Sequence, residues 1–266
     1  SGRPPAQHTL AHHPLAKHPP SRHTPVDGST SGGDPYFPAA GNGGYDVQHY
    51  DLRLTYTPAT QALYGRATIT ARATAKLRSF SLDLRGLTAS AVSVNGLKAS
   101  FTQADGELVI TPKRALRQGR FKMVVRYGGT TGQPTDNTGA LYGWVSYPDG
   151  AFTANEPDGA STWYPVNDVP TDKARYTITV TVPAGYAAIG NGLLTGVSTR
   201  GGLTTWRWKA RDLQASYLTS AAIGNYTVTS GKLSPGERAS GLPGGLRYVN
   251  AVYKYLPDDE QDLAAA

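Results

Sequence analysis

From Tyr45 onward, apolar and polar residues alternate with a period of two, and the alternation persists over most of the chain. In "HYDLRLTYT", Tyr50, Leu52, Leu54 and Tyr56 fall on one side, with Asp51, Arg53 and Thr55 on the other. "GRATITARAT" repeats the arrangement: Ala67, Ile69, Ala71 and Ala73 interleave with Thr68, Thr70, Arg72 and Thr74. Successive side chains of a strand point to opposite faces, so the pattern predicts strands with one dry and one wet face. "FSLDL", "AVSVNGLKASF", "GELVIT", "FKMVVRY", "YTITVTV" and "TTWRWKA" continue the series. Asn95-Gly96 and Asp105-Gly106 supply the two-residue turns that right-twisted hairpins prefer. No stretch sustains a period of 3.6. The predicted fold class is all-β, a large antiparallel β-sandwich or saddle.

The two ends of the chain break this pattern. Residues 1–43 are rich in Pro, His, Ser and Gly, with hardly any large hydrophobe, which predicts a flexible, disordered leader. It holds His8, His12, His13, His18 and His23, but Pro14, Pro19 and Pro20 keep one helical face from gathering them as metal ligands. The leader therefore reads as a soluble spacer. At the other end, Pro257 followed by Asp258, Asp259 and Glu260 is a helix start. The predicted organisation is a leader (1–43), a β-sandwich (44–245), then a last strand and the start of a further domain (246–266).

Composition narrows the chemistry. The 266 residues include no Cys, which excludes a disulfide framework, a thiolate nucleophile and sulfur-ligated zinc. No apolar run approaches the ~20 residues of a membrane span. The net charge of +7 is spread along strand faces, at Arg53, Arg66, Arg72, Arg126, Arg175 and Arg207. Such scatter reads as a solvated face without a nucleic-acid partner, leaving room for a weak attraction to an anionic cell-wall polymer. The chain opens Ser1-Gly2-Arg3 without Met, which reads as a processed form whose signal peptide, if one existed, is already removed.

A self-contained enzyme lacks parts here. Outside the leader the only histidine is His49, in a strand, and no H-E-x-x-H occurs. There is no G-x-S-x-G elbow, and "GNGGY" and "GLPGGL" are glycine-rich loops that join no strand to a helix. Glu156, Asp158, Asp168 and Asp172 cluster in sequence, but acids in a Pro/Gly-rich loop are usually turn formers. No catalytic residue, metal ligand or cofactor is assigned to this chain, which alone is expected to hydrolyse nothing.

Two segments carry a resemblance. "GGYDVQHYDLRLTYTP…LYGRATITARATAKLRSFSLDLRGLTASAVSVNG" and "NEPDGASTWYPVNDVPTDKARYTITVTVP" resemble the N-terminal domain of the aminopeptidase N-like zinc metallopeptidases, over roughly residues 44–255. The Gly/Tyr/Thr-rich style and the leader resemble exported actinobacterial versions, which implies a secreted protein. The resemblance implies a β domain that abuts a thermolysin-like catalytic domain, its own or separately encoded, in which the zinc resides. It further implies that Glu156 holds the free α-amine of a peptide N-terminus. Many relatives place Gln two residues earlier; here that position is Ala154, a wall of the first specificity pocket.

The rest of that segment reads as scaffold. Trp163, Tyr164 and Pro165 pack the loop, while Asp168, Pro170, Asp172 and Lys173 form turns and ion pairs. The rival reading is a free-standing sandwich whose exposed Trp144, Tyr147, Trp163 and Tyr164 hold carbohydrate, cell wall or protein, or else a regulator of a separate peptidase.

Overall fold

The computed structural model describes residues 24–232 and 247–255. An eight-stranded sheet dominates them. Its strands run, in spatial order, Leu193–Arg200, Leu203–Gln214, Ala174–Pro183, Tyr45–Thr57, Ala62–Ala73, Gly119–Thr130, Thr88–Val94 and Leu97–Lys98. Two four-stranded sheets and the ribbon Tyr226–Lys232/Arg247–Tyr253 complete the β architecture.

The alternation read from sequence becomes the core. Tyr50, Leu52, Leu54 and Tyr56 are buried, as are Ala67, Ile69, Ala71 and Ala73 on the next strand and Tyr176, Ile178, Val180 and Val182 on the other side. A register shift between Val47 and His49 keeps Tyr45 and Val47 inward along with Tyr50, and turns His49 to the wet face. There His49 meets the Thr177 hydroxyl at 3.0 Å, and burial lowers its pKa. It is a packed strand residue.

Both expected hairpin turns form, with Asn95 and Gly96 at φ 49° and 80° and Asp105 and Gly106 at 52° and 85°. Positive φ at both central residues gives the backbone twist that flanking strands require.

Within the large sheet one pairing departs from the antiparallel expectation. Ala174–Pro183 runs parallel to Tyr45–Thr57, with Tyr176 beside Tyr50 and Val180 beside Leu54. The large sheet is thus two antiparallel halves joined at a parallel seam. Parallel neighbours need a long crossover, and residues 131–173 make it, carrying the Gly143–Tyr147/Gly150–Ala154 hairpin and the loop of interest.

Ordered structure also reaches further toward the N-terminus than composition suggests. Val26–Asp27 pairs in parallel with Leu77–Asp83. Asp27 accepts from Arg78 Nη2 at 2.5 Å and Ser79 Oγ at 2.6 Å, contacts that hold its carboxyl down at about 2. Gly41, at φ +64°, lies so close to Val169 that a Cβ would collide with it. Backbone pairing and polar contacts, rather than apolar burial, tie down residues 24–43. The five leader histidines and the helix start at Pro257 lie outside the described residues.

Candidate functional site

The loop from Ala154 to Ala174 leaves the end of the Gly150–Ala154 strand and crosses the dry face of the large sheet. Trp163 and Tyr164 are completely buried. Trp163 packs at 4.5 Å from Tyr164 and 5.6 Å from Trp144, and Tyr164 meets Tyr50 edge-on at 5.6 Å. This aromatic stack seats the loop by removing large apolar faces from water. It also removes the aromatic platform of the binding-module reading: Trp144, Trp163 and Tyr164 are core residues, and Tyr147 is half-buried.

Two residues clamp the loop on either side of Glu156. Asn155 is buried; its side chain donates to the Thr219 carbonyl and accepts from Trp163 Nε1 at 3.3 Å. Its own carbonyl accepts from Gly159 N at 2.6 Å. Asp158 forms an ion pair with Arg85 at 3.2 Å, accepts from the Tyr142 hydroxyl, and its carbonyl accepts from Arg85 as well. Arg85 Nε also donates to Ser161 Oγ at 2.7 Å. Gly143, at φ +68°, leaves no room for a Cβ beside Thr162, so the strand and the loop's short 3-10 turn (Gly159–Thr162) touch directly.

Glu156 itself is exposed, and the Glu156–Pro157 bond is cis. Among the described residues its carboxylate has neither an ion-pair nor a hydrogen-bond partner. Ala154 is half-buried and pairs with Gly143 at the strand's end. The structure therefore puts Ala154 and Glu156 two residues apart on one clamped loop, the first half-buried and the second exposed.

Behind Asp158 the loop returns through buried acids. Asp168 is buried; its Oδ2 accepts from Ser161 N at 2.8 Å, while its own N donates to Asp83 Oδ2 at 2.8 Å. Asn167 accepts from Asn42 N at 2.6 Å and donates to Asp172 Oδ2 at 2.5 Å, and Asp172 Oδ1 accepts from Val47 N at 3.0 Å. Burial is the largest cause of every shift here. It pushes Asp168 up to about 7 and Asp172 up to about 6, against the hydrogen bonds they accept. Asp83 faces Glu107 across the register, and burial raises both.

Asp168 and Asp172 thus cap backbone amides that docking would otherwise strand; Asp172 also closes the expected turn, its N donating to the Val169 carbonyl at 3.2 Å. Lys173 has no ion-pair partner among the described residues. A cavity of about 140 Å³ lies among these acids, lined by Asp83, Arg85, Glu107, Asp158 and Asp168. Among the described residues no three His, Cys, Asp or Glu side chains are placed to hold a metal ion, so zinc has no fit here.

Sequence reasoning missed Arg85 and Tyr142. A lone Arg in "LDLRGL" and a Tyr in a Gly-rich loop give no local sign that they meet 57 positions apart.

Comparison with known proteins places this architecture. The Peptidase M1 N-terminal domain family matches residues 46–218. An M1 zinc metallopeptidase from Deinococcus radiodurans is 31% identical, with a TM-score of 0.74 over 86% of this chain and 52% of its own. A mutant of that enzyme bound to a Tyr-Ser-Ala substrate is 30% identical, with a TM-score of 0.75 over 88% of this chain and 55% of its own. A two-domain M1 zinc metallopeptidase mutant bound to L-arginine is 32% identical, with a TM-score of 0.71 over 87% and 54%. The chain spans about half the length of the structures it matches. With its sandwich, its seam and its clamped loop, the chain belongs to the family of peptidase M1 N-terminal domains.

Proposed function

We propose that this chain is the substrate-gripping N-terminal domain of a secreted zinc aminopeptidase-like protein, and that Glu156 anchors the free α-ammonium of a peptide. One observation carries the reading: an exposed carboxylate with no partner of its own, on a loop whose flanking residues are locked. A rigid acid without an internal role is suited to pairing with a cation that arrives from outside. The similar structure bound to Tyr-Ser-Ala supports a peptide as that cation's bearer.

A carboxylate–ammonium contact in a partly dry cleft contributes about 1.5–3 kcal/mol. Because the loop is fixed, the contact also sets where the first peptide bond lies, so binding becomes positional selectivity. Ala154, two residues before, lines the pocket for the first side chain; its small size leaves that pocket roomier than a Gln would. The catalytic domain, covalently continuous or separately encoded, supplies the zinc and its polarising chemistry. This chain's part is to hold and orient the peptide end.

The test uses the protein with its catalytic domain. Glu156→Ala should raise KM for free-amine peptides by roughly 10- to 100-fold, corresponding to that contact energy, and Glu156→Gln by less. Zinc content should be unchanged. An unchanged KM and kcat/KM would remove Glu156 from the reading. The 266-residue chain alone, with added zinc, should not turn over an aminoacyl p-nitroanilide; robust turnover would overturn the division of labour. Secretion is checked by fractionating the source culture: the protein should be found in the medium or cell-envelope fraction.

A further inference from the structure

The arginines scattered in sequence are not scattered in space. Register places Arg53 opposite Arg66, and Arg66 opposite Arg126, so three neighbouring strands carry cations in one row. Six residues further along the same strand pair, Arg72 lies opposite Arg120, with Lys122 one step nearer. All six are on the wet face: Arg66 is half-buried and the other five are exposed.

Six residues of strand span about 20 Å and neighbouring strands lie about 4.8 Å apart. The six therefore form a cationic track roughly 20 Å long, two to three strands wide. Asp51 and Asp46 are the acids bordering it. Asp51 pairs with Arg53 at 3.6 Å, the sole ion pair on this face among the described residues. Asp46 lies opposite Arg72, while Arg66, Arg126, Arg120 and Lys122 face no acid in register.

We propose that this track is a binding site for a linear phosphodiester chain of the polyol-phosphate type. Five of the six cations are Arg, whose planar fork suits phosphate oxygens. Positions two apart on a strand repeat every ~6.7 Å, so the Lys122 and Arg72/Arg120 rows are one step apart and the Arg66 row lies two steps beyond Lys122. Thr70, partly exposed, lies between the Arg66 and Arg72 rows.

The face has little else to offer a ligand. Tyr64, opposite Gly128 and beyond the Arg66 row, puts one exposed ring at this end of the strand pair, short of the series of rings on which successive bases stack. Nor does the track carry the apolar wedge a bilayer surface favours. Because the loop bearing Glu156 crosses the dry face, the track points to the opposite side, away from anything that loop engages.

The experiment titrates a labelled glycerol-phosphate oligomer of about ten units with the 266-residue chain and follows fluorescence anisotropy against salt. At about 0.7 counterions per neutralised phosphate, the four cations with no acid in register predict a log–log salt slope near −3. Arg66→Ser/Arg126→Ser should flatten the slope by about 1.4 and weaken binding by about tenfold. Both side chains project from the solvent face, and an unchanged circular dichroism melt shows the fold intact. Lys173→Ser/Arg200→Ser removes the same charge elsewhere and should change affinity less than about threefold.

Equal losses in the two double variants would reduce the effect to net charge and overturn the site. Single-stranded DNA with the same number of phosphates should bind no tighter; tenfold tighter binding would make this a nucleic-acid surface instead. Binding only to phosphatidylglycerol vesicles, or no binding at about 50 mM salt, would also overturn it.

Discussion

The large sheet has two faces that treat charge in opposite ways. On the dry side, under the loop, Asp168 is buried and Asp83 and Asp172 are largely shielded, each accepting hydrogen bonds from the backbone, from amide side chains or from both. On the wet side, arginines stand in register with water around them and few acids nearby. The dry-side acids hold the structure together through the hydrogen bonds they accept, and removing them should be costly. The wet-side charges are free to engage something else, and removing them should be cheap. The same distinction separates Glu156 from Asn155 and Asp158, only one and two residues away.

The largest effect expected is from the dry side's apolar anchor. Trp163→Ala should destabilise the chain by about 3–5 kcal/mol, through lost burial and the cavity left against Trp144 and Tyr164. A urea melt measures it; a loss below 1 kcal/mol would mean the loop is not seated as described. Next is a pH dependence. Asp168 holds its proton up to about 7 when folded, against an ordinary value of 3.8 in the unfolded chain. Its contribution to stability is therefore full below pH ~4 and lost as pH rises through about 7. Asp172 acts in the same direction through about 6. At ~1.4 kcal/mol per pH unit, the two together should lower stability by several kcal/mol between those limits. Calorimetry at several pH values, with Asp168→Asn flattening the slope, checks it.

Arg85→Met should cost about 2 kcal/mol, because it leaves the Asp158 carboxylate with the Tyr142 hydroxyl alone and no cation beside it. The smallest effects bring out the contrast most sharply. Glu156→Ala and Arg126→Ser should each change stability by no more than about 0.5 kcal/mol. Glu156→Ala destabilising by more than 1 kcal/mol would mean that this carboxylate has a structural task after all.

The strands were legible in sequence because one physical rule, alternation across a half-buried sheet, governs Tyr50 to Tyr56 and Ala67 to Ala73 alike. The hairpins at Asn95 and Asp105 were legible because positive φ restricts residue choice. The parallel seam was not. Nothing in the composition of "YTITVTV" distinguishes a parallel neighbour from an antiparallel one when one face is wet and the other dry. The buried acids were only partly read, for a related reason. Asp168 and Asp172 look like turn formers locally, and only tertiary docking reveals which distant amides they satisfy. Glu156 and Ala154 could be singled out by resemblance to a family, but Arg85, which clamps the loop beside them, had no signal beyond its own charge.

The parallel seam has a consequence for the order in which the molecule is made. Strands from Tyr45 to Thr130 can pair with one another as they leave the ribosome, yet the inner edge of Tyr45–Thr57 stays open until residues 175–181 have been synthesised. During that interval a strand destined for the middle of the sheet presents unpaired amides and carbonyls, an invitation to other nascent chains. Any product ending between residues 131 and 173 would keep that edge permanently. The chain's exposure to misassembly is thus concentrated in one stretch of its synthesis, and it closes when Ala174–Pro183 docks.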